Sequence, residues 1–217
     1  KKGDENWCLY STNINSLEEK VITPNEGVRA SLLKLSDKFP GEMLVSLNAR
    51  VPEYFDIHKV NIATGKLETI YENTEGYTSF IADDDFNIRV AYKMLPTGEG
   101  EVYLFENGDV NSPKLFEKIS IEDMLNTSPM HISKDNKKLF MLDSVGRNTS
   151  ALVEVDLATM ERKTLHESAK ADVSDYMVDV KTKMVQAVAI NHMRKEWAVI
   201  DDSIQDDMDF LASVEDG

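Results

Sequence analysis

The side chains here that could do chemistry are four histidines, one cysteine, a run of aspartates and scattered serines, and their spacing argues against a reactive centre. His58, His131, His166 and His192 fall far apart, with no His-x-x-His or cysteine pairing to set a metal geometry, so they read as strand or loop histidines with local partners. Asp83-Asp84-Asp85 offers clustered oxygens but lacks the spaced Asp-x-Asp-x-Asp-Gly pattern of a calcium loop, and reads as a solvated hairpin turn. A serine nucleophile of the elbow type needs Gly-x-Ser-x-Gly; the nearest stretches, Gly76 to Phe80 and Gly146 to Ser150, lack the second glycine. No glycine-rich phosphate loop is present. The expectation is therefore no catalytic residue, no cofactor and no metal. Asn126-Thr127-Ser128 and Asn148-Thr149-Ser150 match the glycosylation triplet, which matters only in a secreted eukaryotic protein.

The elements that would position these groups are strands. A unit of two apolar-rich strands, a polar loop and two more strands returns along the chain, most clearly in its third strand: NWCLYST at 6 to 12, FDIHKVNI at 55 to 62, EVYLFE at 101 to 106, SALVEVDL at 150 to 157 and EWAVID at 196 to 201. The recurrence, about every 45 to 50 residues, suits a propeller blade and exceeds the common helical repeats. Alternation with a period of two, as in Val153 and Val155 beside Glu154 and Asp156, is what a half-buried strand requires. Turn chemistry falls between first and second strands at Asp37-Lys38, at Asp84 to Asn87 and at Lys134 to Lys137, and between third and fourth at Ala63 to Lys66 and Glu106 to Asp109. Gly65 and Gly108 should supply positive φ there. Met160 stands where the Ala63 to Lys66 kind of hairpin has glycine, so its turn is expected to be distorted or longer.

The fold class expected is all-β, with β-propeller blades built as four-stranded antiparallel sheets. Half a blade is placed at 7 to 23, then blades near 28 to 73, 77 to 118, 128 to 167 and 173 to 215. The last is irregular, because residues 201 to 214 read as a short acidic helix with Ile204, Met208 and Leu211 on one face. About four and a half blades, starting mid-blade, are expected to belong to a larger ring, since propellers have four to eight. An ordinary β-sandwich is the alternative, and it leaves the long regular spacing unexplained.

Composition sets the class of partner. With 39 acidic against 24 basic side chains in 217 residues the net charge is -15, which disfavours nucleic acid and anionic lipid. No apolar run approaches the roughly 20 residues of a membrane helix, so neither nucleic acid nor membrane is expected as a partner. The single Cys8 cannot close an intrachain disulfide; this fits a reducing compartment, and a cytoplasmic location is the expectation.

Against this acidic background the loop between second and third strands carries a cation in each full unit: Arg50, Lys93, Arg147, and Arg194 followed by Lys195. Equivalent loops of a propeller lie on one face. Two accounts stand open: each cation pairs with an aspartate of its own blade, such as Asp56, Asp85 or Asp143, or the set forms a docking or substrate-guiding rim.

The motifs also resemble a known family. Gly3-Asp4-Glu5-Asn6, Thr23-Pro24 with Glu26-Gly27-Val28, Asn48 with Arg50 and Pro52, and Val60-Asn61 before Thr64-Gly65 are the first pieces. Ala82 to Asp85 with Arg89, Thr127-Ser128-Pro129, Leu142-Asp143-Ser144 with Gly146-Arg147, Ala171 to Asp175, Val185 to Ala189 and Arg194 to Trp197 complete them. In order and spacing they resemble the amino-terminal β-propeller of the prolyl oligopeptidase family of serine peptidases, especially its acylaminoacyl-peptidase-like and dipeptidyl-peptidase-like members. The resemblance implies a non-catalytic segment that gates or selects peptide substrates, with a carboxy-terminal α/β-hydrolase domain as partner and the Ser-Asp-His triad outside these residues. A stand-alone propeller that binds a protein or peptide, with no enzyme attached, is the other reading.

Overall fold

In the computed structural model, residues 5–24 and 26–214 are described. Gly3 and Asp4 of the family-like motif, and residues 215–217 beyond the acidic helix, lie outside them. The chain is all-β apart from its end, with five antiparallel sheets. A two-stranded sheet, β1 (Tyr10–Thr12) with β2 (Glu19–Val21), comes first. Three four-stranded sheets follow in meander order: β3 (Ala30–Leu35), β4 (Glu42–Val51), β5 (Tyr54–Asn61) and β6 (Leu67–Tyr71); then β7 (Ser79–Ala82), β8 (Ile88–Met94), β9 (Gly100–Leu104) and β10 (Lys114–Ile119); then β11 (Ser128–Ile132), β12 (Lys138–Asp143), β13 (Ala151–Asp156) and β14 (Arg162–His166). The last sheet has three strands, β15 (Val173–Val178), β16 (Val185–His192) and β17 (Arg194–Val199), and leads into α1 (Gln205–Val214).

The chain divides into two compact units, Lys1–Met94 with Tyr103–Phe116 and Leu95–Val102 with Glu117–Gly217. In the first, β4 buries Met43, Leu44 and Val45 in succession. Neighbouring strand residues point to opposite faces, so such a run requires cover on both sides. Leu44 and Ile57 pack with Phe80, Phe86, Ile88 and Phe105, whereas Met43, Val45 and Val60 pack with Ile22 and Ala30. A sheet with a core on each face is the blade arrangement, and the outer strand β6 is correspondingly more exposed. In the second unit Phe140 and Leu152 pack against Val173, Val185 and Val188 of the next sheet. His131 lies stacked between Phe140 and Tyr176, at centroid distances of 4.6 and 5.1 Å, and ties those two sheets together.

One hairpin design recurs. Asn13, Asn61, Asp156 and Asp179 each open a turn in which the side-chain oxygen accepts the N–H three residues on, and the backbone carbonyl accepts the N–H four residues on. The fifth residue takes left-handed φ: Leu17 at 57°, Gly65 at 74°, Met160 at 61° and Lys183 at 60°. The turn at Met160 is thus neither longer nor distorted. Its Asp156 side chain accepts from Ala158 and Thr159 and holds the geometry, so methionine adopts the backbone conformation that glycine takes at position 65.

Candidate docking rim

The sequence-selected cations all sit where the second strand of a sheet gives way to the third. Arg50 lies near the end of β4, Lys93 near the end of β8, Arg147 in the turn from β12 to β13, and Arg194 at the start of β17. Their partners differ.

In the first unit Arg50 donates from Nε to Asp56 Oδ2 and from Nη2 to Asp56 Oδ1, both at 2.8 Å, and Nη2 also reaches the Asn73 carbonyl at 3.2 Å. Asp56 is only 3% exposed. Burial pushes its carboxyl up, but the paired guanidinium and the Asn73 N–H at 2.8 Å outweigh that and hold it below the usual carboxylate range. Asn73 in turn exchanges hydrogen bonds with the Tyr77 backbone, so Arg50 fixes the crossing from β6 to β7. Lys93, half-buried, makes no ion pair among the described residues. The pairing considered for it, Asp85, is taken by Lys38 at 2.7 Å.

In the second unit Arg147 pairs with Glu167 and donates to Thr164 Oγ1 at 2.9 Å, clamping β14 of its own sheet. Asp143, the partner considered for it, instead lies 3.7 Å from Arg162 and accepts the Val145 N–H. Arg194 approaches Glu196 at 4.0 Å. Lys195 sits over the Trp197 ring and donates to Asp175 Oδ2 at 2.8 Å, and this bond holds the Asp175 carboxyl below its ordinary value. Arg50 and Arg147 thus serve their own sheets, whereas Lys93 makes no ion pair among the described residues.

The other candidates are absorbed by structure. Asp83 is buried and accepts the Asp85 and Asn87 N–H groups, while Asp84 pairs with Lys34. Sequence reasoning missed a buried hydroxyl chain in which Ser144 Oγ donates to Asp123 and meets Thr127 Oγ1 at 3.0 Å. No spacing rule announces it, because Ser144 comes from a segment separated from the one that holds Asp123 and Thr127. Among the described residues no histidine joins that chain, and no group of three or more His, Cys, Asp or Glu could hold a metal ion.

Over 215 residues, 99% of its length, the chain is 35% identical to dipeptidyl aminopeptidase BIII of Pseudoxanthomonas mexicana. The chain resembles the propeller of prolyl oligopeptidase-family peptidases. This propeller segment spans 31% of the curated relative that it matches. Solved structures share its fold at low identity: TolB of Acinetobacter baumannii (TM-score 0.62, 12% identical, 91% of this chain and 46% of that one) and a puromycin-hydrolyzing peptidase of Mycobacterium tuberculosis (TM-score 0.56, 12% identical, 86% and 30%). No family model matches the sequence.

Proposed function

We propose that this chain is a non-catalytic propeller segment that gates or selects peptide substrates for a serine peptidase of the prolyl oligopeptidase family. The observation that carries the reading is the 35% identity along nearly the whole chain to a dipeptidyl aminopeptidase of which it spans less than a third. The absence of a nucleophile elbow in the sequence agrees, since an acyl intermediate needs an activated serine. Peptide substrates and an α/β-hydrolase domain of the same protein are the partners in this reading. Lys93, which makes no ion pair among the described residues, is the side chain we assign to guiding a peptide carboxylate. Arg50 and Arg147 hold their own sheets.

The test is to read the intact gene and assay its product. A reading frame that encodes a nucleophile elbow beyond these residues, with a product that cleaves short peptides and spares folded proteins, is the expected outcome. A frame without such a segment overturns the reading in favour of a stand-alone interaction propeller.

A further inference from the structure

Helix α1 presents an apolar surface that nothing among the described residues of its own unit covers. Helix α1 contains no buried residue, although four of its ten are large and apolar. Met208 and Leu211 turn toward β17 and, with Met177 and Trp197, line a cleft of about 590 Å³ whose wall also includes Arg194 and Lys195. Phe210 and Val214, spaced i and i+4 and so on one side of the helix, are not part of that lining and are 66% and 65% exposed. An isolated helix of ten residues is marginal in water, and most helices are held by packing of an apolar face. Exposed apolar groups gathered in one place mark an interaction site. The outer edge of β17 beside them is also unpaired, since β17 is the last strand of its sheet.

Charge narrows the occupant. From Glu196 to Gly217 the sequence has eight acidic side chains and no basic one. A second copy of the chain would set this acidic run against itself, and like-charge juxtaposition across an interface is strongly unfavourable. A complementary face is apolar at its centre and basic around it. The curated relative is about three times as long as this chain, which points to polypeptide of the same protein as the source of such a face.

We propose that Phe210, Leu211 and Val214 form an intramolecular interface, covered by an apolar, basic-rimmed face of the same protein outside residues 1–217. This rests on the reading of the chain as a segment of a longer peptidase.

Two measurements on the product of the intact gene test it. Carbodiimide cross-linking should join Asp206, Asp207 or Asp209 to lysines of the same molecule outside residues 1–217. Hydrogen exchange of α1 should be slow in the wild type and faster by roughly a hundredfold in Phe210→Asp/Val214→Asp, with β15 to β17 unchanged; Phe210→Ser serves if the double variant fails to fold. Cross-links to a second copy, to another protein or only to lysines within residues 1–217 overturn the proposal. So does α1 exchange that is equally fast in wild type and variants, or a gene that ends at Gly217. Peptidase activity is scored separately: its absence with the cross-links present counts against the proposed function and leaves the interface standing, and the reverse pattern does the opposite.

Discussion

Arg50 holds Asp56 through two parallel hydrogen bonds of 2.8 Å, and the carboxylate it holds is buried while the guanidinium is partly open to solvent. Arg50→Ala leaves that carboxylate with the Asn73 N–H but without its counter-charge. Water can enter from the exposed side, so the expected loss is about 1–3 kcal/mol, below that of a fully buried pair. Chemical denaturation at pH 7 measures it.

The same pair sets a pH dependence. The Asp56 carboxyl is held below its unfolded value near 4, so its contribution to stability is complete above that value and is lost as pH falls through the lower folded one. In Arg50→Ala the upward push of burial is no longer outweighed by the guanidinium. The stability gap between wild type and variant is therefore expected to be widest at neutral pH and to narrow as pH falls, first as the variant's carboxyl takes up a proton at its raised value and then down to the wild type's lowered one. Melting curves from pH 7 to pH 3 check this; a gap that widens on acidification contradicts the assignment.

Met160 and Lys183 adopt the left-handed backbone that Gly65 occupies without strain. Met160→Gly and Lys183→Gly are each expected to stabilise by about 0.5–1 kcal/mol, because relief of Cβ strain exceeds the added entropy of the unfolded chain. Gly65→Ala should destabilise by a similar amount, since its new Cβ would meet only ordinary contacts with Ile22. Gly108→Ala should be worse, about 2–3 kcal/mol, because there the Cβ would lie 2.6 Å from Asn87 Cβ. Urea midpoints for the four variants give the order.

These turns also show what the sequence makes legible. The blade pattern could be read because each unit repeats a strand period of two between turns whose Asn, Asp and Gly have fixed roles. The helix at the end was readable from the spacing of Ile204, Met208 and Leu211. Met160 misled, because glycine is only one way to fill the fifth position, and an Asp156 side chain that caps two N–H groups stabilises the same conformation in another residue. The cations were found at equivalent loops and the Asp56 partner of Arg50 was legible, but the partners of Arg147 were not: it reaches Thr164 on the fourth strand of its sheet and Glu167 just beyond that strand, rather than Asp143 beside it. Such choices depend on how strands two positions apart lie side by side, which no local pattern encodes.

Lys93 and Arg147 separate guidance from stability. Lys93→Glu is expected to leave the melting temperature within about 1–2 °C, since no ion pair among the described residues is broken, and to weaken turnover of anionic peptides by the intact protein. Arg147→Ala should lower the melting temperature by releasing β14. Thermal melts beside peptide turnover of both variants distinguish the roles; normal turnover in Lys93→Glu removes Lys93 from the rim.

The central claim, that these residues form the non-catalytic propeller of a serine peptidase, is tested most directly by active-site labelling. The product of the intact gene is treated with a fluorophosphonate probe, digested, and the labelled peptide located by mass spectrometry. A single modified serine outside residues 1–217, with no label on the isolated 1–217 chain, is the predicted result. Stoichiometric label on a serine within residues 1–217, or none on the intact protein, would contradict the account.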